Sequence, residues 1–294
     1  MKVMHWLLRR LVLRLCRNRS PFLYFLPITK ELQGRDRRWQ RLSRTLGLAL
    51  GAFSLVVMTG FWVNAAPSNP ELPPPQVHPL PQTLANWRDR SNQGDYFDQI
   101  QPLSVGALVW SRFPVKVYVE SAVTTSATRA AVKPNPQAQA WTQAATQAVT
   151  EWQAYLPLQL VSRPEQADIT IWRSPPPPEK GGIKPSDRNY RIRSAETRYE
   201  LYAQPRKNGP PVLAHHCNIW LRPNQTPPYI QAAARHELGH ALGLWGHSPL
   251  QTDALYFSQV RSPATISPRD INTLKRVYQQ PTRLGWPLPA ATAP

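Results

Sequence analysis

Residues 235–248, RHELGHALGLWGHS, constrain the chain more than any other stretch. His236 and His240 are four residues apart, the spacing that places two side chains one above the other on a single helix face. Two imidazoles so placed can serve one metal ion. Glu237 lies beside them, where it can take a proton from an attacking water. Gly243 and Gly246 follow, and glycine permits a sharp departure from a helix. Such a turn can bring His247 back as a third ligand. Three protein ligands and an open position describe a catalytic zinc site rather than a structural one.

A bare HExxH recurs by chance, but here the context is helical. Thr226 is a plausible N-cap, and Pro227 and Pro228 suit a first turn. Residues 230–242 are rich in strong helix formers. Leu238, Ala241 and Leu242 can face a core while the two histidines face a cleft.

The charge of the chain is placed unevenly. Net charge is +18, and residues 1–63 alone hold 12 basic against 2 acidic residues. A strongly basic protein invites a nucleic-acid reading. The densest charge lies instead beside an apolar run, which is the pattern of membrane topology; no nucleic-acid partner is expected. Residues 1–45 form a basic segment. Within it Leu7, Leu8, Leu11 and Leu15 share a helical face, so it either lies on an anionic membrane surface or is an unstructured leader. Residues 46–63 (LGLALGAFSLVVMTGFWV) carry no charge. At helical rise these residues span roughly 27 Å, close to a bilayer core. Arg37, Arg38, Arg41 and Arg44 precede the run and no basic residue follows until Arg88. The N-terminus is then cytoplasmic and the remainder extracytoplasmic. The run is a single-pass signal anchor, or the apolar part of a signal peptide cleaved near Ala65. Residues 64–104 begin with a Pro-rich tether and read as linker or prosegment.

A folded domain is expected over residues 105–280. Residues 113–120 (FPVKVYVE) alternate as a strand does. Residues 138–155 read as an amphipathic helix carrying Trp141 and Trp152. Strands follow at 158–161 and 167–172, then an insertion at 174–189. Two more strands, 199–203 and 212–221, flank a turn containing Asn208-Gly209. Ser267-Pro268-Arg269-Asp270 starts a last helix through Tyr278. Residues 281–294 are a Pro-rich tail. Cys16 and Cys217 are the only cysteines and would lie on opposite sides of the bilayer, so no disulfide is expected. His215 and His216 precede Cys217 on one strand, but alternation puts the two histidines on opposite faces, against a shared metal.

This ordered series, from FPVKVYVE through the Trp-bearing helix, ADITIW, HELGHALG and SPRDINTLKRVY, resembles the matrixin group of the metzincin zinc peptidases. The resemblance covers residues 113–278. It implies an α+β fold, a mixed twisted sheet with an active-site helix and a C-terminal helix. It implies an endopeptidase that uses Zn2+ and binds a protein or peptide substrate along an edge strand, placed here along residues 212–221. His236, His240 and His247 would be zinc ligands, Glu237 the general base and Gly243 the turn glycine.

Two departures qualify that transfer. The family pattern puts the third ligand at position 246, which is Gly246; His247 comes one later, as though Trp245 were inserted. Asp253 is the alternative third ligand. The family's methionine turn has no counterpart, since no Met occurs beyond Met58; Leu255 or Tyr256 would supply the apolar floor. Tyr256 is also placed to approach the metal or an oxyanion. Residues 261–263 are candidates for shaping a side-chain pocket. No cysteine lies between the apolar run and the domain, so a blocking prosegment thiol is absent, and Asp89, Asp95 or Asp98 would have to take that part. The alternative to an enzyme is a catalytically inactive zinc-containing domain that binds peptides or cell-wall material. Oligomeric state is left open.

Overall fold

The computed structural model describes residues 72–122, 135–178 and 193–289. The basic segment and the apolar run at 46–63 lie outside these residues, as does most of the insertion after residue 178. Among the described residues no helix is long and apolar enough to cross a membrane.

The fold is α+β, built on a mixed five-stranded sheet. Strands β1 (Val115–Val119), β2 (Leu158–Val161), β3 (Ile169–Trp172), β4 (Ala195–Gln204) and β5 (Val212–Leu221) lie in the order β2-β1-β3-β5-β4. Four run parallel, and β4 pairs antiparallel with β5 over its whole length. The alternation of Val115 and Val117 against Lys116 is realised directly: both valines are buried and the lysine is exposed. In β3 three successive residues are buried, as expected of a parallel strand covered on both faces.

Helix α1 (Gln82–Asn86) precedes the sheet. Helix α2 (Pro136–Gln153) starts where the Asn135 side chain accepts from the Gln137 amide at 2.9 Å. Ala138, Trp141, Ala145, Ala148 and Trp152 recur at helical spacing and are buried. Helix α3 (Pro227–Ala241) carries the histidines and packs on α2. Trp152 Nε1 donates to the Arg235 carbonyl at 2.9 Å, and Arg235 pairs with Glu151 at 2.5 Å. Thr226 stands at the N-cap of α3, but its side chain makes no capping bond. Helix α4 (Pro268–Tyr278) opens with a full capping box: Ser267 Oγ accepts from the Asp270 amide at 3.1 Å and Asp270 Oδ2 from the Ser267 amide at 2.7 Å.

Two differences from the sequence reading bear on the site. Residues 212–221 are not an edge. β5 is bonded to β3 on one side and β4 on the other, so among the described residues the strand that ends the sheet on this side is β4. Along β5 one face is buried and the other half-buried, an alternation that does not by itself separate an inner strand from an edge. The core also extends past both expected domain limits. Leu84 and Tyr96 are buried within it on one side, Thr282 and Leu284 on the other. Gln76 and Thr282 exchange main-chain bonds at 2.9 Å each way, and Tyr96 OH donates to Asp270 at 2.6 Å. Residues 72–104 are thus part of the domain's packing.

Candidate metal centre

Helix α3 places His236 and His240 one turn apart on the same face, their rings 4.8 Å apart and nearly perpendicular. Past the C-cap Leu242 the chain turns at Gly243, whose φ of +129° is a conformation that glycine adopts without strain. A Cβ there would also press on the Leu108 carbonyl at 3.0 Å. The Leu244 carbonyl accepts from His240 Nδ1 at 2.6 Å. Trp245 is not bulged into solvent. It is buried between the rings of Tyr199, 5.1 Å away, and His240, 5.8 Å away. Trp245 is therefore packed inside the turn, and His247 returns with its ring 5.2 Å from His236 and 4.9 Å from His240.

The three histidines form the one group of three or more His, Cys, Asp or Glu residues among the described residues that is placed to hold a metal, their ligand nitrogens all within 4.8 Å of one another. Zinc–nitrogen bonds of ~2.0–2.1 Å place neighbouring ligand nitrogens on the order of 3.3 Å apart at tetrahedral angles, the same scale as this cluster. The donor chemistry also fits. A carbonyl oxygen only accepts, so His236 Nδ1, 2.9 Å from the Ala254 carbonyl, and His240 Nδ1 carry the protons. Each Nε2 then presents a lone pair, with the tautomer fixed by the second contact. Burial lowers the pKa of all three rings, that of His247 to about 3, and so favours the neutral form that a cation needs.

Asp253 does not join them. It is buried and engaged elsewhere, taking the Ser248 hydroxyl and pairing with Arg269 Nε at 3.0 Å. The loop it belongs to supports the centre from below. Asp270 accepts from the Ala254 amide at 2.9 Å, and the Ala254 carbonyl holds His236. Leu255 supplies the floor, fully buried against Gly239 and Trp152, while Tyr256 is half-buried against Phe257 with ring centroids 4.5 Å apart.

Glu237 is buried beside the triad. Thr197 of β4 contacts its Oε2 at 2.6 Å and its main-chain oxygen at 3.0 Å. Burial raises the pKa of the carboxyl to about 7, against the lowering effect of the Thr197 hydroxyl. Thr197 has no signature in the sequence: it sits in AETRYELYAQ, where charged residues mask the strand periodicity, and only tertiary pairing identifies it.

The remaining candidates lie apart from the triad. His215 is buried on Trp110, ring centroids 3.8 Å apart, and His216 faces the other way, toward Asn218. Cys217 is buried and burial pushes its thiol pKa upward, so it behaves as a small apolar residue. Asp89 is taken by Ser91, Gln93 and Asn272, Asp95 by Arg276, and Asp98 by Gln99. Arg261 borders a cavity of about 510 Å³ at the start of α3, with Tyr229, Gln259 and Asn224. No protein-family model and no curated protein matches the chain.

Proposed function

We propose that this chain is a zinc-dependent endopeptidase of the matrixin-like metzincin type. The observation that carries this reading is the convergence of His236, His240 and His247 beside Glu237, which Thr197 joins to the antiparallel strand that ends the sheet among the described residues. The zinc ion, when bound, supplies Lewis-acid polarisation of a carbonyl and acidifies water. The protein does the rest. The three histidines hold the ion and leave a position open to substrate. Glu237, with one oxygen held by Thr197, accepts a proton from the attacking water and returns it to the leaving amine. β4 offers its outer main-chain groups to an extended peptide, which adds as a further strand. This places the substrate along β4 rather than β5.

The same proposal places the domain outside the cytoplasm, tethered through residues 46–63. Support comes from the 18 uncharged residues that follow a basic segment. Cleavage near Ala65 would instead release a secreted enzyme.

The test uses the full chain, purified in detergent and loaded with zinc, on a mixed peptide pool read by mass spectrometry, beside Glu237→Ala. New cleavage products with the wild type alone are expected. Equal product sets from the two proteins would discard the peptidase and leave a zinc-bearing binding domain.

A further inference from the structure

The turn from His240 to His247 is closed from outside by a segment far away in sequence. Gly246 lies so near the Gln99 carbonyl that a Cβ at 246 would overlap it, with the Ile100 Cα also within 3.1 Å. Next to this contact the Gln101 amide donates to the Trp245 carbonyl at 2.8 Å. The two contacts fall on the two residues immediately before His247. The strap that makes them is itself fixed to α4. Tyr96 OH reaches Asp270 at 2.6 Å, the Tyr96 amide reaches Thr273 Oγ1 at 3.0 Å, and Asp95 pairs with Arg276 at 2.8 Å.

We propose that residues 95–101 position the third metal ligand, so that metal affinity depends on a docked strap upstream of the sheet. The inference rests on the metal-binding reading of the triad, but not on peptidase activity. His236 and His240 are placed by one helix and need no such help. His247 stands beyond two glycines and a 3.0 Å main-chain bond from the Gly246 amide to the Leu244 carbonyl, so its return path is set by what it leans on. Packed side chains and a main-chain bond on that path determine whether the third nitrogen arrives. The dependence is reciprocal: a metal that draws His247 inward also holds Trp245 and Gly246 against the strap. Residues 95–101 are then part of the metal-competent centre.

The test measures zinc dissociation constants by chelator competition, and Co2+ absorption spectra, on the full chain. Gln101→Pro removes the amide that donates to Trp245; Ile100 before it is already extended at φ −79°, ψ 126°, as suits a residue preceding proline. Gly246→Ala drives a methyl into Gln99. Val149→Ala in α2 serves as a control for general destabilisation. Gln101→Pro and Gly246→Ala are both expected to bind zinc about tenfold or more weakly, with an altered Co2+ spectrum. The control should lower the melting temperature while keeping wild-type affinity and spectrum. Zinc should also slow hydrogen exchange at the Gln101 amide in the wild type. Wild-type affinity and spectrum in Gln101→Pro would overturn the strap's role while leaving the metal site standing. A wild-type chain that binds no metal would overturn both.

Discussion

Thr197 Oγ1 lies 2.6 Å from Glu237 Oε2 and 3.0 Å from the main-chain oxygen of the same residue. One hydroxyl from the edge strand therefore touches both the carboxyl and the backbone of the residue proposed as general base. The contact restrains the Glu237 side chain and favours its ionised form. Thr197→Val keeps the shape and removes the hydroxyl. A hydrogen bond to a charged group contributes about 1.5–3 kcal/mol, so kcat/KM should fall roughly 10- to 100-fold with zinc content unchanged. The acid limb of the pH profile should move upward, because the lost bond was lowering the carboxyl pKa. Thr197→Ser should restore both. A valine variant with wild-type rate and profile would exclude this role.

The identity of the third ligand yields a second prediction. His247 faces the other two rings, whereas Asp253 is occupied by Ser248 and Arg269. His247→Ala should lose zinc, measured by atomic absorption after dialysis. Asp253→Asn should keep zinc at full stoichiometry and instead unfold at lower urea concentration, since it weakens a buried pair to Arg269. Zinc retained by His247→Ala and lost by Asp253→Asn would reverse the assignment.

Local patterns in the sequence were a good guide where the burial they report is local. The strand at Val115–Val119, the Trp-bearing helix and the capping box at Ser267 each follow from periodicity or capping chemistry within a few residues. The HExxH pair follows for the same reason, since helix geometry alone brings His236 and His240 together. Sequence reasoning failed where partners are distant. Tyr96 and Asp270 meet across 174 residues, and no periodicity near Tyr96 announces it. β4 begins at Ala195 rather than 199, since residues 195–198 already pair with β5; Glu196 and Arg198 pair with each other on one face while Thr197 is buried on the other. In the sequence Trp245 reads as an interruption of the ligand spacing that the resemblance implies. Its burial between Tyr199 and His240 shows how the turn accommodates it.

His215 predicts how stability depends on pH. It is buried on Trp110, its Nε2 has no hydrogen-bond partner, and burial lowers its pKa to about 3. The unfolded chain takes up this proton near the ordinary value of about 6.5. Between the two values the unfolded state binds a proton that the folded state refuses. Stability is therefore fully present above about pH 6.5 and is lost as pH falls toward 3. For this residue alone the loss is roughly 2 kcal/mol at about pH 5. His215→Phe keeps a ring against Trp110 and removes the titrating nitrogen. In the presence of chelator, the difference in urea stability between about pH 7.5 and about pH 5 should shrink by about that amount. The site histidines act in the same direction, so a residual dependence should persist. An unchanged difference in His215→Phe would show that His215 is not the group responsible.

Gly239 sits between His236 and His240 on α3, and its packing yields the last prediction. A Cβ there would meet Leu255 Cδ2 at 2.5 Å and Trp152 Cζ2 at 3.2 Å. An alanine in an open helix would stabilise by up to about 1 kcal/mol. Here Leu255 and Trp152 are both fully buried, and overpacking against buried side chains costs about 1–3 kcal/mol. Gly239→Ala should therefore destabilise the domain. Leu255→Ala alone should cost about 2–5 kcal/mol by opening a cavity. Combined, the alanine methyl fills part of the space vacated by the leucine, so the double variant should be more stable than the sum of the two by about 1 kcal/mol or more. Urea unfolding of the four proteins closes this cycle. Simple additivity would mean that Leu255 does not bear on α3 at Gly239. The floor beneath the histidines would then have to be sought in Trp152, whose indole is bonded to the Arg235 carbonyl one residue before His236.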